Sequence, residues 1–173
     1  MIMKIFLIGL PGSGKSTIGK SLALELSCPF VDLDTEIEKQ EGRTIKQIFK
    51  QMHEGYFRQL ESKALKKYCQ SADSFVMATG GGAPCFFDNM EQINQAGKSV
   101  FLDVPTKVIA KRIMNSHVSE RPLFSTDNAE SLKDRVEFMR SQRINFYKQA
   151  HITIASEQIV IKDLVELVKA LAF

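Results

Sequence analysis

The chain has 173 residues and a mass of 19.5 kDa, and it is 44% hydrophobic and 25% charged. That is the size and composition of one ordinary globular domain able to bury roughly 70% of its unfolded surface, which excludes intrinsic disorder. Lys plus Arg (23) against Asp plus Glu (20) leaves +3, too mild to demand nucleic acid or an anionic membrane as partner. Cys28, Cys69 and Cys85 form no CxxC pair, and the longest early apolar run, Ile5–Ile8, is too short for a signal or membrane-spanning segment, so the chain reads as a soluble protein of a reducing compartment, most simply a cytoplasm.

In chain order, short apolar runs alternate with longer amphipathic stretches. The runs Lys4–Ile8, Pro29–Leu33, Phe75–Thr79, Ser99–Val104 and His151–Ala155 are apolar on both faces, the pattern of buried parallel strands. Helical periodicity is predicted over Lys15–Ser27, Glu54–Gln70, Thr106–Asn115, Ala129–Gln149 and Val160–Ala170. Strand followed by helix, repeated, implies βαβ units and a parallel sheet covered by helices. Two stretches fit neither pattern: the glycine-dominated Thr79–Pro84, and the polar segment 115–128, which reads as a mobile loop.

Directly after the first strand stands Gly9-Leu-Pro-Gly-Ser-Gly-Lys15-Ser16-Thr17, a match to GxxxxGK[ST]. Glycines let the backbone wrap a phosphate chain with its N–H groups pointing inward, and the following helix brings its positive dipole end to the same point. Lys15 can reach the β- and γ-phosphates, and the Ser16 hydroxyl can ligate Mg²⁺. The motif specifies a purine nucleoside triphosphate and magnesium, and leaves the phosphate acceptor open.

At the end of the second run come Asp32 and Asp34, two apart and so on one side of an extended chain. Ligands of open parallel sheets gather beyond the carboxyl ends of the strands, which sets both acids beside the phosphate loop. One can support hydrated Mg²⁺ and the other can accept a proton from an attacking hydroxyl. Alternatively, Asp34 is simply the N-cap of a helix beginning at Thr35. In Phe57-Arg58-Gln-Leu-Glu61, Arg58 and Glu61 are i, i+3 neighbours on a helix. They are either a surface pair worth about 0.3–0.5 kcal/mol, or a planar guanidinium held by Glu61 to grip a substrate carboxylate at two points. Gly80-Gly81-Gly82 suggests close approach of a ligand to bare backbone N–H groups, with a tight turn as the plainer alternative.

Arg112 falls on a helix, Arg121-Pro122 in the polar loop, and Arg143 on the next helix near Arg135 and Arg140. A mobile arginine closing over the γ-phosphoryl group stabilises its spreading charge and keeps water out, and Arg121 is best placed for that. His53, His117 and His151 share no metal-ligand or triad spacing and read as structural or exposed. Phe49 and Phe57 read as core, with an apolar wall for a bound ring as the alternative.

Five motifs in order, GLPGSGKST (9–17), DLD (32–34), FRQLE (57–61), GGG (80–82) and ERPL (120–123), followed by Arg143, resemble the shikimate kinase family, one of the small kinases grouped with nucleoside monophosphate kinases. The resemblance covers nearly the whole chain. It implies a three-layer α/β/α fold with a five-stranded parallel sheet in the order 2-3-1-4-5, a single domain over 1–173, an acceptor-binding region over 32–61, a lid over 115–128, and a cytoplasmic monomer. It implies ATP and shikimate as substrates, shikimate 3-phosphate and ADP as products, and a place on the route to chorismate and aromatic amino acids. Matched motif to motif, Gly12, Ser13, Gly14, Lys15, Ser16 and Thr17 bind the ATP phosphates. Ser16 ligates Mg²⁺, and Asp32 holds it through water. Asp34, Arg58, Gly81 and Arg143 bind shikimate, with Asp34 nearest the reacting hydroxyl. Arg121 is the lid arginine and also touches nucleotide, and Arg112 flanks the adenine; Lys15, Asp34 and Arg121 form the catalytic set. Where family members commonly carry a basic loop over the adenine, this chain has Ala155-Ser-Glu-Gln-Ile159. A sister kinase for gluconate should lack the joint DLD, FRxxE and GGG set. A non-catalytic nucleotide sensor could lose Asp34 or Arg121 without penalty, and both are present.

Overall fold

Each apolar run becomes a strand of one sheet in the computed structural model, which describes residues 2–115 and 129–171. The strands are β1 (Lys4–Ile8), β2 (Phe30–Asp32), β3 (Phe75–Ala78), β4 (Lys98–Leu102) and β5 (Ile152–Ile154). They are all parallel, in the order β2-β3-β1-β4-β5. Central β1 pairs with β3 (Lys4 opposite Phe75) and with β4 (Ile5 opposite Lys98), and it is buried at every position. A polar group there needs a partner, and the Lys4 ammonium donates to the Cys69 carbonyl at 2.7 Å.

Side chains alternate across the sheet and so divide the core in two. Phe6 and Ile8 join Phe75, Met77 and Phe101 under α2 (Leu33–Glu41), α3 (Ile45–Gln51), α4 (Glu54–Gln70), α5 (Asn89–Ala96), α6 (Thr106–Asn115) and α7 (Ala129–Tyr147). Ile5 and Leu7 join Val76, Val100 and Leu102 against α1 (Lys15–Glu25) and α8 (Ile161–Ala170). The result is the expected three-layer α/β/α architecture in the expected strand order.

The helices over Glu54–Gln70 and Thr106–Asn115 coincide with the sequence pattern, and most other boundaries shift by one or two residues. Three helices escape that pattern. α2 begins at Leu33 because Asp32 leaves the strand as an N-cap, its Oδ1 accepting from Thr35 N at 3.4 Å. The strand expected over Pro29–Leu33 therefore stops at Asp32. Asp34 stands in the first turn of a helix rather than on extended chain, and the cap is Asp32, not Asp34. α3, fixed by a capping box between Thr44 and Gln47, has seven residues, and α5 has eight, too few to display helical periodicity.

Two contacts at the amino ends of the strands are sensitive to single changes. Gly97, between α5 and β4, lies where a Cβ would collide with the Lys4 carbonyl. Backbone on both sides leaves no flexible side chain to yield, so Gly97→Ala should lower stability by about 1–3 kcal/mol, read as the shift in urea midpoint; an unchanged midpoint would show that the strands can separate there. Nearby, the Ser99 hydroxyl donates to Asn94 Oδ1 at 2.6 Å and accepts from His151 N at 3.0 Å. His151 Nδ1 accepts from Ser99 N at 3.2 Å, which only the neutral ring can do. Partial desolvation and then the charge of Lys98 hold the imidazole pKa below its ordinary value. The unfolded chain thus binds the proton more readily, so this contribution to stability is complete above about pH 6.5 and is lost as pH falls through the window beneath it. The thermal midpoint should drop from about pH 7 to about pH 5.5, and less so in His151→Gln; equal drops would assign the loss to other groups.

Candidate active site

Beyond the carboxyl ends of β1, β2 and β3 lies a cleft of about 830 Å³. The phosphate loop forms one wall. Three of its glycines take positive φ, namely Gly9 (146°), Gly12 (84°) and Gly14 (96°), and Gly14 caps α1 in the left-handed region. No side chain caps this helix, so its first N–H groups face the cleft as an anion site. Lys15 is buried and donates to the carbonyls of Gly9 at 2.9 Å and Leu10 at 3.0 Å, which holds its ammonium within the loop.

Across from the loop, Ser16 Oγ donates to Asp32 Oδ2 at 2.7 Å. One carboxylate therefore caps α2 with one oxygen and holds the phosphate-loop serine with the other. Thr17 and Asp34 line the same cleft. Burial, reinforced by the charge of Asp32, pushes the Asp34 carboxyl above the ordinary range, and Lys15 opposes the shift. The expectation that both acids share the cleft with the phosphate loop is met, although helix geometry rather than strand geometry delivers Asp34.

Arg58 and Glu61 form a buried pair, not a surface one. Arg58 Nη1 donates to Glu61 Oε2 at 2.8 Å, with side-chain exposures of 7% and 1%. The sequence reading missed the other half of the clamp. Glu54 Oε1 accepts from Nη2 at 2.9 Å and from Nε at 3.1 Å, and the guanidinium lies 4.3 Å from the centroid of the Phe86 ring and 5.2 Å from that of Phe57. Glu54 sits one helical turn before Arg58, a spacing visible in the sequence, whereas Phe86 reaches it only through the fold. Two carboxylates and two rings fix the plane of a fork that otherwise rotates freely. Burial pushes the Glu61 carboxyl up to about 7, with Arg58 offsetting part of the shift. Its Oε1 is buried without a hydrogen-bond partner among the described residues, which has the same effect.

The three glycines serve protein contacts as well as the open cleft. A Cβ at Gly80 would meet Glu61 Oε1, one at Gly81 would stand 2.7 Å from Pro11 Cδ, and one at Gly82 would strike the Arg58 guanidinium. Bare backbone is required here for the ion pair and the phosphate loop to close on the turn, a protein contact that neither the ligand reading nor the tight-turn alternative includes. Beside the turn, burial raises the Cys85 thiol to about 11, so it remains a thiol at neutral pH.

Arg143, half-buried on α7, reaches the cleft, as does Arg112 from α6. Arg140 does not: it pairs with both oxygens of Asp103 at 2.9 Å. Arg112 donates to Ser13 O at 3.2 Å and to Glu157 O at 3.0 Å, bridging the phosphate loop to the segment after β5. The cation missing from the 155–159 sequence is thus brought there by α6. Arg121 and the expected lid beyond Asn115 lie outside the described residues. Among the described residues no helix is long and apolar enough to cross a membrane, and no cluster of three or more His, Cys, Asp or Glu could hold a metal ion by itself.

Comparison with known proteins finds relatives that span most of the chain. A family model described as shikimate kinase matches residues 11–172. Shikimate kinase of Phocaeicola vulgatus is 43% identical over 155 residues, covering 89% of this chain and 87% of the relative, and that of Bacteroides fragilis is 39% identical over 165 residues, covering 95% and 91%. The crystal structure of shikimate kinase from Bacteroides thetaiotaomicron superposes with a TM-score of 0.90 at 35% identity, covering 99% of each chain. The Acinetobacter baumannii enzyme, solved in complex with shikimate, gives 0.87 at 32% identity and covers 99% of this chain and 93% of its own. The family model and relatives of 39–43% identity span most of the chain, and the fold superposes along its length, so the chain belongs to the shikimate kinase family.

Proposed function

We propose that the chain transfers the γ-phosphoryl group of ATP to the 3-hydroxyl of shikimate, giving shikimate 3-phosphate and ADP on the route to chorismate and the aromatic amino acids. The observation that carries this reading is the rigid, buried Arg58 fork, set in the same cleft as an uncapped phosphate-binding helix. A small carboxylated polyol needs a fixed cation for its carboxylate and an acid to receive its hydroxyl proton, within reach of a triphosphate.

In this mechanism Gly12, Ser13, Gly14, Lys15, Ser16 and Thr17 hold the ATP phosphates through backbone N–H groups, the Lys15 ammonium and hydroxyls. A hydroxyl and one carboxylate, together with phosphate oxygens and water, suit Mg²⁺, so the touching pair Ser16 and Asp32 fit it, Asp32 through water. When bound, that ion neutralises phosphate charge. Asp34 takes the proton of the attacking hydroxyl, and its raised pKa brings it nearer to neutrality than an exposed aspartate. Arg58 and Arg143 grip the acceptor carboxylate, and Gly81 lies against the ring. Arg121 closes over the transferring group and Arg112 flanks the adenine. The whole chain acts as one domain, a cytoplasmic monomer.

An ADP-release assay run with shikimate and with gluconate tests the reading directly. Turnover with shikimate and none above background with gluconate is expected. The reverse preference would make the protein a sister kinase, and ATP binding without turnover of either would make it a nucleotide sensor. Arg58→Lys keeps the charge but cannot meet Glu54 and Glu61 in one plane, so it should raise the shikimate KM about tenfold or more and leave the ATP KM within about twofold. An analogue lacking the carboxylate should bind wild type poorly and lose little further in the variant. Equal weakening of both ligands would mean that Arg58 supports the fold rather than the carboxylate.

A further inference from the structure

We infer that Tyr147 is a positioning residue for the acceptor: its hydroxyl ties the Gly80–Gly82 turn to α7 and so fixes where Arg143 stands over the cleft. Tyr147 is fully buried at the last position of α7, one helical turn after Arg143 and on the same side of the helix. Its hydroxyl donates to the carbonyl of Gly81, and Arg143 lies against the same hydroxyl. Its ring packs on Phe101 of β4 at 5.1 Å between centroids, so the ring alone is enough to anchor the helix end on the sheet. The hydroxyl adds direction. Gly81 is itself pinned against Pro11 of the phosphate loop, and Gly82 touches the Arg58 guanidinium. The Tyr147 bond thus links the element carrying Arg143 to the turn against which Arg58 is already clamped, setting the spacing between the two arginines.

A residue with a merely structural role would lower stability and disturb both substrates alike. A positioning role separates them. Without the hydroxyl the Arg143 side chain loses that contact and the helix end loses its tie to the turn, while the phosphate loop keeps its own contacts to Lys15 and Arg112. The inference rests on the reading of the cleft as a carboxylated-acceptor site.

The decisive variant is Tyr147→Phe, which retains the ring on Phe101 and removes only the hydroxyl. Its shikimate KM should rise about five- to tenfold, the loss of roughly one hydrogen bond, with the ATP KM within about twofold of wild type. In an Arg143→Ala background, Tyr147→Phe should change the shikimate KM by less than about twofold, because the group it positions is already gone. An undiminished effect in that background, or equal rises in both KM values, would overturn the inference, as would a wild-type shikimate KM in Tyr147→Phe. Should Tyr147→Phe be recovered unfolded, Phe101→Leu decides. It loosens the same ring and keeps the hydroxyl, so a lowered thermal midpoint with unchanged shikimate KM supports positioning, and a raised KM assigns the effect to packing. Failure of the wild-type protein to turn over shikimate at all would instead overturn the reading of the site, leaving the two failures distinct.

Discussion

The turn at Gly80–Gly82 limits how closely everything else in the cleft can approach. Four elements that come from distant parts of the chain meet on it: Glu61 and Arg58 from α4, Pro11 from the phosphate loop, Asp34 from α2, and Tyr147 from the end of α7. The contacts of Glu61, Pro11 and Arg58 are closer than a Cβ would permit at Gly80, Gly81 and Gly82 respectively. A side chain at any of them forces apart two parts of the site that must act on the same pair of substrates. The sheet makes this convergence possible, because β3 and β1 are neighbours and deliver the turn and the phosphate loop side by side.

Charge is the second organising factor. Burying a guanidinium is tolerable only when its donors are met, and Arg58 meets Glu54 and Glu61 while stacking near Phe86 and Phe57. Among the described residues the clamp leaves Glu61 with one buried oxygen unmatched, and burial raises its carboxyl. Such a pair is a weak source of stability but an effective way to hold a planar cation at a fixed angle. The opposite wall works on different terms. At the phosphate loop the positive potential comes from uncapped N–H groups and Lys15, with no side-chain acceptor spent on the helix end.

Most of this was legible in the sequence where one residue type has one physical reason. The phosphate loop and the buried strands follow from glycine spacing and two-faced apolar runs, whereas the strand order is what the resemblance to the shikimate kinase family implies. The short helices α2, α3 and α5 were not legible, because seven to nine residues carry too little periodicity to separate from loop. Asp34 reaches the cleft by a route the sequence did not show: a cap at Asp32 puts it on a helix rather than on extended chain, and it still lines the cleft. Phe86 and Tyr147 take their importance from contacts that exist only once α4, the turn and α7 are packed together, and no spacing rule announces them, whereas Glu54 stands at a readable i, i+4 spacing from Arg58.

The bridge made by Arg112 has a consequence for how the two ends of the cleft respond to change. Beside the phosphate loop, its guanidinium grips main-chain oxygens, those of Ser13 and Glu157. Every residue type presents the same carbonyl, so the side chains over 155–159 are free to drift in size and charge as long as the backbone path is kept. Around Arg58, the partners are side chains of defined length and three positions with none. Substitution is therefore absorbed at one end of the cleft, where main-chain oxygens are the partners, and felt at the other, where the clamp depends on side-chain length.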